Sequence, residues 1–141
     1  MSVALRPMSL ADYPDVLDLW RRTEGLGLSE ADGAPGMANF FLRNPDLSPV
    51  ALTPDGVLVG AVLCGHDGRR GWLYHLAVDA EHRKLGIAAL LVDFCLERLA
   101  AHGIQKCSVL LFRDNVSGAD FWEHMDWSER PDLRVFQKAL A

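Results

Sequence analysis

The stretch from Gly71 to His102 restricts what this chain can fold into more than any other. Residues 71–78 read Gly-Trp-Leu-Tyr-His-Leu-Ala-Val, a composition that suits a strand. A loop follows at 79–85. Ile87, Leu90, Leu91, Phe94, Cys95 and Leu99 then recur at helical spacing to about His102. Gly103 stands where a C′ glycine ends such a helix. A strand that feeds a long helix through a glycine-bearing turn is a unit of α/β packing around a sheet, and the elements on either side also alternate in type.

Before this unit, Val3 to Arg6 reads as a first strand ended by Pro7. Ser9 or Asp12 caps a helix whose apolar face carries Leu10, Val16, Leu17, Leu19 and Trp20. Pro14 fits only in its first turn. Gly25, Gly27, Gly33, Pro35 and Gly36 mark a broken, mobile segment, followed by a helix around Met37 to Arg43. Strands are expected at Val50 to Thr53 and Val57 to Cys64, on either side of the Pro54-Asp55-Gly56 turn. Asp67-Gly68 makes a second hairpin turn. After the long helix, Lys106 to Phe112 reads as a strand, Asn115 or Ser117 caps a helix through Met125, and Leu133 to Leu140 reads as an edge strand. No repeat, low-complexity tract or linker interrupts the 141 residues, so residues 1–141 are expected to form one domain with one core.

Charge narrows the partners. Fourteen basic residues against 19 acidic ones leave a net charge of −5, whereas a duplex-DNA binder carries a basic excess. A local basic spot in an acidic chain suits an anionic ligand, with the remaining surface open to a cation. No apolar run approaches the ~18 to 20 residues of a membrane span. The N-terminal residues show no secretory pattern, so a cytoplasmic setting is expected. Cys64, Cys95 and Cys107 form no C-x-x-C pair, which argues for reduced thiols and no metal site.

The turn Arg83-Lys84-Leu85-Gly86-Ile87-Ala88 carries the most chemistry. The first amides of a helix lack partners within it and carry partial positive charge, so a phosphate can accept from them. Gly86 and Ala88 are small enough for close backbone approach, and Arg83 and Lys84 add formal charge. The segment has no G-x-x-x-x-G-K-[ST] and the first strand has no G-x-G-x-x-G after it, which removes the P-loop and dinucleotide readings. Taken with its setting, Arg83, Gly86 and Ala88 match [QR]-x-x-G-x-[GA], and the chain resembles the GNAT (Gcn5-related) N-acetyltransferase superfamily. Leu76-Ala77-Val78-Asp79 resembles the family's fourth strand. Asn115 to Trp127 resembles its N-x-x-A-x-x-F-Y-x-x-x-G-F. The stretch Gly65 to Gly71, with Tyr74 soon after, looks closest to the YpeA-like branch.

The resemblance implies an α/β (α+β) fold with a central mixed, mostly antiparallel sheet of about six to seven strands and about four helices. The fourth and fifth strands would splay to admit the pantetheine arm of acetyl-CoA. Leu76 and Val78 would contribute backbone groups along that gap. A fourth-strand N–H would stabilise the oxyanion of the tetrahedral intermediate. Arg83, Lys84, Leu85, Gly86, Ile87 and Ala88 would hold the pyrophosphate. Asn115 would reach the CoA arm, cap its helix, or do both. Two departures stand out. Trp122 replaces the tyrosine that often protonates the leaving thiolate, and indole has no useful acidity. Asp126 replaces a glycine. A thiol pKa of about 8.5 still makes the thiolate a tolerable leaving group.

The implied partners are acetyl-CoA and an amine acceptor, small molecule or peptide, with a homodimer open and with neither nucleic acid nor membrane. A lysine-like amine, pKa near 10.4, needs about 3.4 units of deprotonation at pH 7, or roughly 4.6 kcal/mol. The fifth-strand position that carries a glutamate in some family members is Leu110 here. His75 is then a candidate general base, since a histidine titrates near neutrality. Tyr74 is an alternative, and strand alternation lets only one of the two face the cleft. Glu24 and Glu30 lie in the glycine-broken segment, at the acceptor wall or on solvated surface. Direct acetyl transfer to a primary amine, protein N-terminal or lysine acetylation, and non-catalytic acyl-CoA binding are the functions left open.

Overall fold

The computed structural model describes residues 2–141. Through Leu110 the chain forms one compact unit, and Leu111–Ala141 forms a second. The first unit is built on a five-stranded sheet in the order β1-β2-β3-β4-β5. Its strands are β1 (Ala4–Pro7), β2 (Pro49–Leu52), β3 (Leu58–His66), β4 (Gly71–Val78) and β5 (Cys107–Val109). Neighbours from β1 to β4 are antiparallel, and β4 pairs with β5 in parallel. That last pairing needs a crossover, and the helix between the two strands supplies it.

Four helices accompany the strands: α1 (Tyr13–Arg21), α2 (Ala34–Arg43), α3 (Ile87–Ala101) and, in the second unit, α4 (Val116–His124). Val16, Leu19 and Trp20 of α1 and Met37 of α2 form one buried cluster with Val50, Ala61, Leu63 and Ala77 of the sheet. Helix α3 packs on β2, β3 and β4 through buried Ile87, Leu91, Val92, Cys95 and Leu99. Strand β3 is buried at every position from Val59 to Gly65, as a strand covered on both faces must be.

Local signals explain the ends. Pro14 sits in the first turn of α1 and Gly103, at φ 81°, ends α3. The Gly103 N–H reaches Ala100 O at 3.0 Å and the Ile104 N–H reaches Leu99 O at 3.0 Å, the paired bonds of a Schellman ending.

Three expectations need correction. The sheet has five strands rather than six to seven, because Lys106 to Phe112 contracts to Cys107–Val109 and Leu133 to Leu140 forms no strand. Phe136 and Leu140 are 84% and 95% exposed. Strand-like composition expresses fit to a neighbouring surface, and these residues have no ladder partner among the described residues. The third concerns the glycine-broken segment. Ser29 caps a short 3-10 turn at Glu30–Asp32, and α2 starts at Ala34 with Pro35 in its first turn. Gly36 lies inside α2, where a Cβ would stand 2.1 Å from Ala31 O. Its glycine permits close approach rather than a break.

Candidate functional site

Strand β4 carries the first part of the site. It pairs with β5 only at Gly71, Trp72 and Leu73, so Tyr74 to Val78 have no β5 ladder partner. The two strands part there, as the splayed arrangement requires. On the other side, Leu63 opposes Tyr74 and Ala61 opposes Ala77. One extra residue therefore sits in β4 between those pairs, and His75 adopts φ 58°. An inserted residue with left-handed backbone is a β-bulge, which re-aims side chains and interrupts pairing. Leu76 follows the bulge and is half-buried, while Val78 is buried opposite Gly60.

The bulge corrects the alternation rule for Tyr74 and His75. Tyr74 stacks with Trp72 at 6.5 Å and meets Phe40 of α2 edge-on at 6.2 Å. His75 meets Trp20 of α1 edge-on at 5.0 Å. Both rings thus turn to the side of the α1 and α2 cluster. Burial, with a smaller contribution from Cys107, raises the Tyr74 phenol above its ordinary value. This makes Tyr74 a poorer base and acid near neutrality.

The turn after β4 is held from several directions. Asp79 starts a 3-10 turn at Ala80–His82 and accepts from the Glu81 N–H. Its carboxylate meets His82 Nδ1 at 2.8 Å and Arg22, the residue after α1, at 2.6 Å. Hydrogen bonding to His82, then to Arg22, lowers the Asp79 carboxyl pKa. Arg83 Nε donates to Val78 O at 3.2 Å, so this arginine braces the strand end, and the Val78 carbonyl already has a partner. Lys84 and Gly86 take φ 64° and 79°. Leu85 and Gly86 are exposed, Ile87 at the start of α3 is buried, and Ala88 is half-buried. The first bond of α3 runs from the Leu90 N–H to Gly86 O at 3.1 Å. The N–H groups of Ile87, Ala88 and Ala89 thus have no acceptor inside the helix. A Cβ at Gly86 would meet nothing within 4 Å. Backbone conformation requires this glycine, and the space before the amides stays open to an anion.

Sequence reasoning missed one residue, Asp32. It is 9% exposed and lies in the 3-10 turn before α2. His75 Nε2 stands 2.9 Å from Asp32 Oδ1. The other carboxylate oxygen accepts the Ser29 N–H at 2.9 Å, and the Asp32 carbonyl accepts the Tyr13 hydroxyl at 2.7 Å. The His75 carbonyl in turn accepts Trp20 Nε1–H at 3.0 Å. The pattern S-x-x-D at 29–32 signals a capping box, but nothing in it points to residue 75. Glu24 and Glu30, by contrast, are exposed.

Cys64 and Cys95 are buried and all three cysteines are free. Hydrogen bonding with Cys64, then burial, drives the Cys95 thiol far above its ordinary value. Burial pushes Cys107 up to about 12. A thiol held protonated is a poor nucleophile. Among the described residues no cluster of three His, Cys, Asp or Glu can hold a metal ion, and no helix is long and apolar enough to cross a membrane.

In the second unit Asn115 caps α4, its Oδ1 accepting the Gly118 N–H at 2.9 Å. Trp122 is buried, with Trp127 at 4.6 Å and Phe121 at 5.0 Å between ring centroids. Asp126 has φ 68°. Its N–H reaches Glu123 O at 3.0 Å while the Trp127 N–H reaches Trp122 O at 2.9 Å. That is again a Schellman ending, and aspartate tolerates the left-handed position that favours glycine. Leu110, the position that lacks a carboxylate, is 56% exposed and lies just beyond β5.

A splayed β4, a glycine-bearing turn and a helix N-terminus define an acyl-CoA transferase architecture, and comparison agrees. Residues 13–127 match the acetyltransferase (GNAT) family. An acetyltransferase of Photorhabdus laumondii is 31% identical over 130 residues, covering 92% of this chain and 90% of that protein. The PaiA N-acetyltransferase of Thermoplasma acidophilum, solved with coenzyme A, superposes with a TM-score of 0.76 at 19% identity, over 89% of each chain. AAC(6')-Iy, solved with a CoA-linked bisubstrate analogue, superposes with a TM-score of 0.77 at 17% identity, over 99% of each chain. The chain belongs to the GNAT family and is an acetyl-CoA-dependent N-acetyltransferase.

Proposed function

We propose that this enzyme moves the acetyl group of acetyl-CoA to a primary amine by direct attack, with His75 as general base. The observation that carries the reading is the bulge in β4. His75 takes a left-handed backbone there, next to Leu76 and beyond the last β5 pair at Leu73, which supports a ring close to the acyl group of a strand-like pantetheine arm. The amides of Gly86, Ile87 and Ala88, with the charges of Arg83 and Lys84, hold the pyrophosphate. Leu76 and Val78 border the arm, and Leu85 flanks its entry. Asn115, for its part, caps α4. The suppressed thiols at Cys95 and Cys107 favour a single displacement over an acyl-cysteine intermediate. The three free cysteines suit a cytoplasmic enzyme. The stretch at 65–71 supports a place in the YpeA-like branch.

The test has two arms. Release of CoA thiol from acetyl-CoA is followed with spermidine, a lysine-containing peptide and a peptide with a free N-terminus. At least one should accelerate release, and a rate independent of every amine counts against amine transfer. Labelled acetyl-CoA without acceptor should leave the protein unlabelled. An acetyl-cysteine that passes its group to amine would replace direct attack.

A further inference from the structure

The contact between His75 and Asp32 joins residues 43 apart in sequence, and its geometry fixes more than proximity. Asp32 is held at three points. Oδ1 faces His75 Nε2, Oδ2 accepts the Ser29 N–H, and the carbonyl accepts the Tyr13 hydroxyl. An ionised carboxylate only accepts hydrogen bonds. At 2.9 Å from Oδ1, Nε2 must therefore carry the ring proton when the imidazole is neutral. The lone pair then lies on Nδ1, which makes no hydrogen bond to any described residue. Trp20 restrains the rest, its indole tilted 63° to the ring at 5.0 Å and its Nε1–H on the His75 carbonyl. The ring is thereby set in both rotation and tautomer.

We propose that Asp32 is a positioning residue for acetyl transfer, holding His75 in the Nε2–H tautomer so that Nδ1 accepts a proton from the incoming ammonium group. The proposal rests on the reading of His75 as base. R–NH3+ gives one proton to Nδ1, forming an imidazolium whose Nε2–H remains on Asp32. The freed nitrogen lone pair forms the C–N bond, and the C–S electron pair leaves with sulfur. The nitrogen loses a second proton as the amide forms. One of the two protons ends on the CoA thiol and the other reaches solvent from Nδ1.

Asp32→Asn tests this without a change in size. The Ser29 N–H requires an oxygen opposite it, so the substituted carboxamide must keep its oxygen there and turn its NH2 to His75. An NH2 donor facing Nε2 demands the opposite tautomer, with the proton on Nδ1. Nitrogen-15 NMR of the ligand-free protein, with the imidazole neutral, reads the tautomer without any turnover. The expected result is Nε2–H in the wild type and Nδ1–H in the variant. With acetyl-CoA and whichever of the three amines reacts fastest, kcat should fall about 100-fold while KM for acetyl-CoA stays unchanged. An Nδ1–H tautomer in the wild type overturns the proposal, and that measurement stands even if the variant fails to fold. A variant that flips the tautomer without slowing turnover also overturns it. If His75→Gln is slow in that case, the base survives and only the positioning role is lost. If His75→Gln is fast as well, the base reading itself has failed.

Discussion

Strand β4 leads from the His75–Asp32 pair to the turn at 83–88, and these two regions are made of different material. The turn offers backbone: left-handed Lys84 and Gly86, and the open amides of α3. Its parts are contiguous, so one short stretch carries the whole device. The His75 region offers side chains from separate elements: Tyr13 and Trp20 of α1, Asp32 before α2, and His75 in the bulge. A cofactor common to a family can be met by backbone geometry, whereas an acceptor that differs among members calls for interchangeable side chains. Damage to the first region should therefore appear in CoA affinity. Damage to the second should appear in turnover.

Gly86→Glu should break the comparison hardest. It puts a side chain on a backbone at φ 79° and a negative charge before the amides. We expect CoA affinity by calorimetry to fall at least about 1,000-fold, ~4.1 kcal/mol. The fold should persist, since a Cβ at Gly86 meets nothing within 4 Å. Unchanged affinity would remove the turn from the cofactor site.

His75→Gln is the complementary case. On its proposed role as general base, the substitution should lower kcat about 100-fold, ~2.7 kcal/mol, with CoA affinity by calorimetry unchanged. A loss of CoA affinity of the same size would erase the distinction between the two regions.

The same contrast explains what the sequence disclosed. The turn was legible because its residues are adjacent and their order is fixed by the strand and helix around them. The boundaries of β4 follow from composition alone, Gly71 to Val78. His75 was visible as a residue type in a strand. Its direction was not, since strict alternation excludes what one inserted residue allows. Asp32 was hidden in a segment read as broken, although Gly36 serves close packing on Ala31 there. The edge strand expected at Leu133 to Leu140 failed for a related reason. Apolar spacing describes a face and does not supply the strand that must lie beside it.

A smaller effect separates positioning from packing within the His75 region. Tyr13→Phe keeps the ring and removes only the hydroxyl that donates to the Asp32 carbonyl at 2.7 Å. One such bond contributes about 1 kcal/mol to stability. The melting temperature should drop by a few degrees, and turnover should fall several-fold at most while CoA affinity holds. A variant as slow as His75→Gln would place the hydroxyl itself in the chemistry.

The least effect belongs to the tie that anchors the turn from outside. Asp79 joins His82 and Arg22, and those partners hold its carboxyl pKa below the ordinary value. A carboxyl depressed on folding adds stability that is complete above its unfolded pKa of about 3.9. That stability disappears as pH falls through the lower, folded value. The pair is partly open to water, so the stabilisation is at most about 1 kcal/mol. Wild type should therefore melt slightly above Asp79→Asn near pH 7. The two curves should converge below about pH 4 as the carboxyl protonates. A margin that survives undiminished in acid would assign the benefit of Asp79 to hydrogen-bond geometry rather than charge. CoA affinity in Asp79→Asn then sharpens the comparison between the regions. If the turn is a backbone device that only needs its entry held, affinity should weaken by no more than a few-fold, far short of Gly86→Glu.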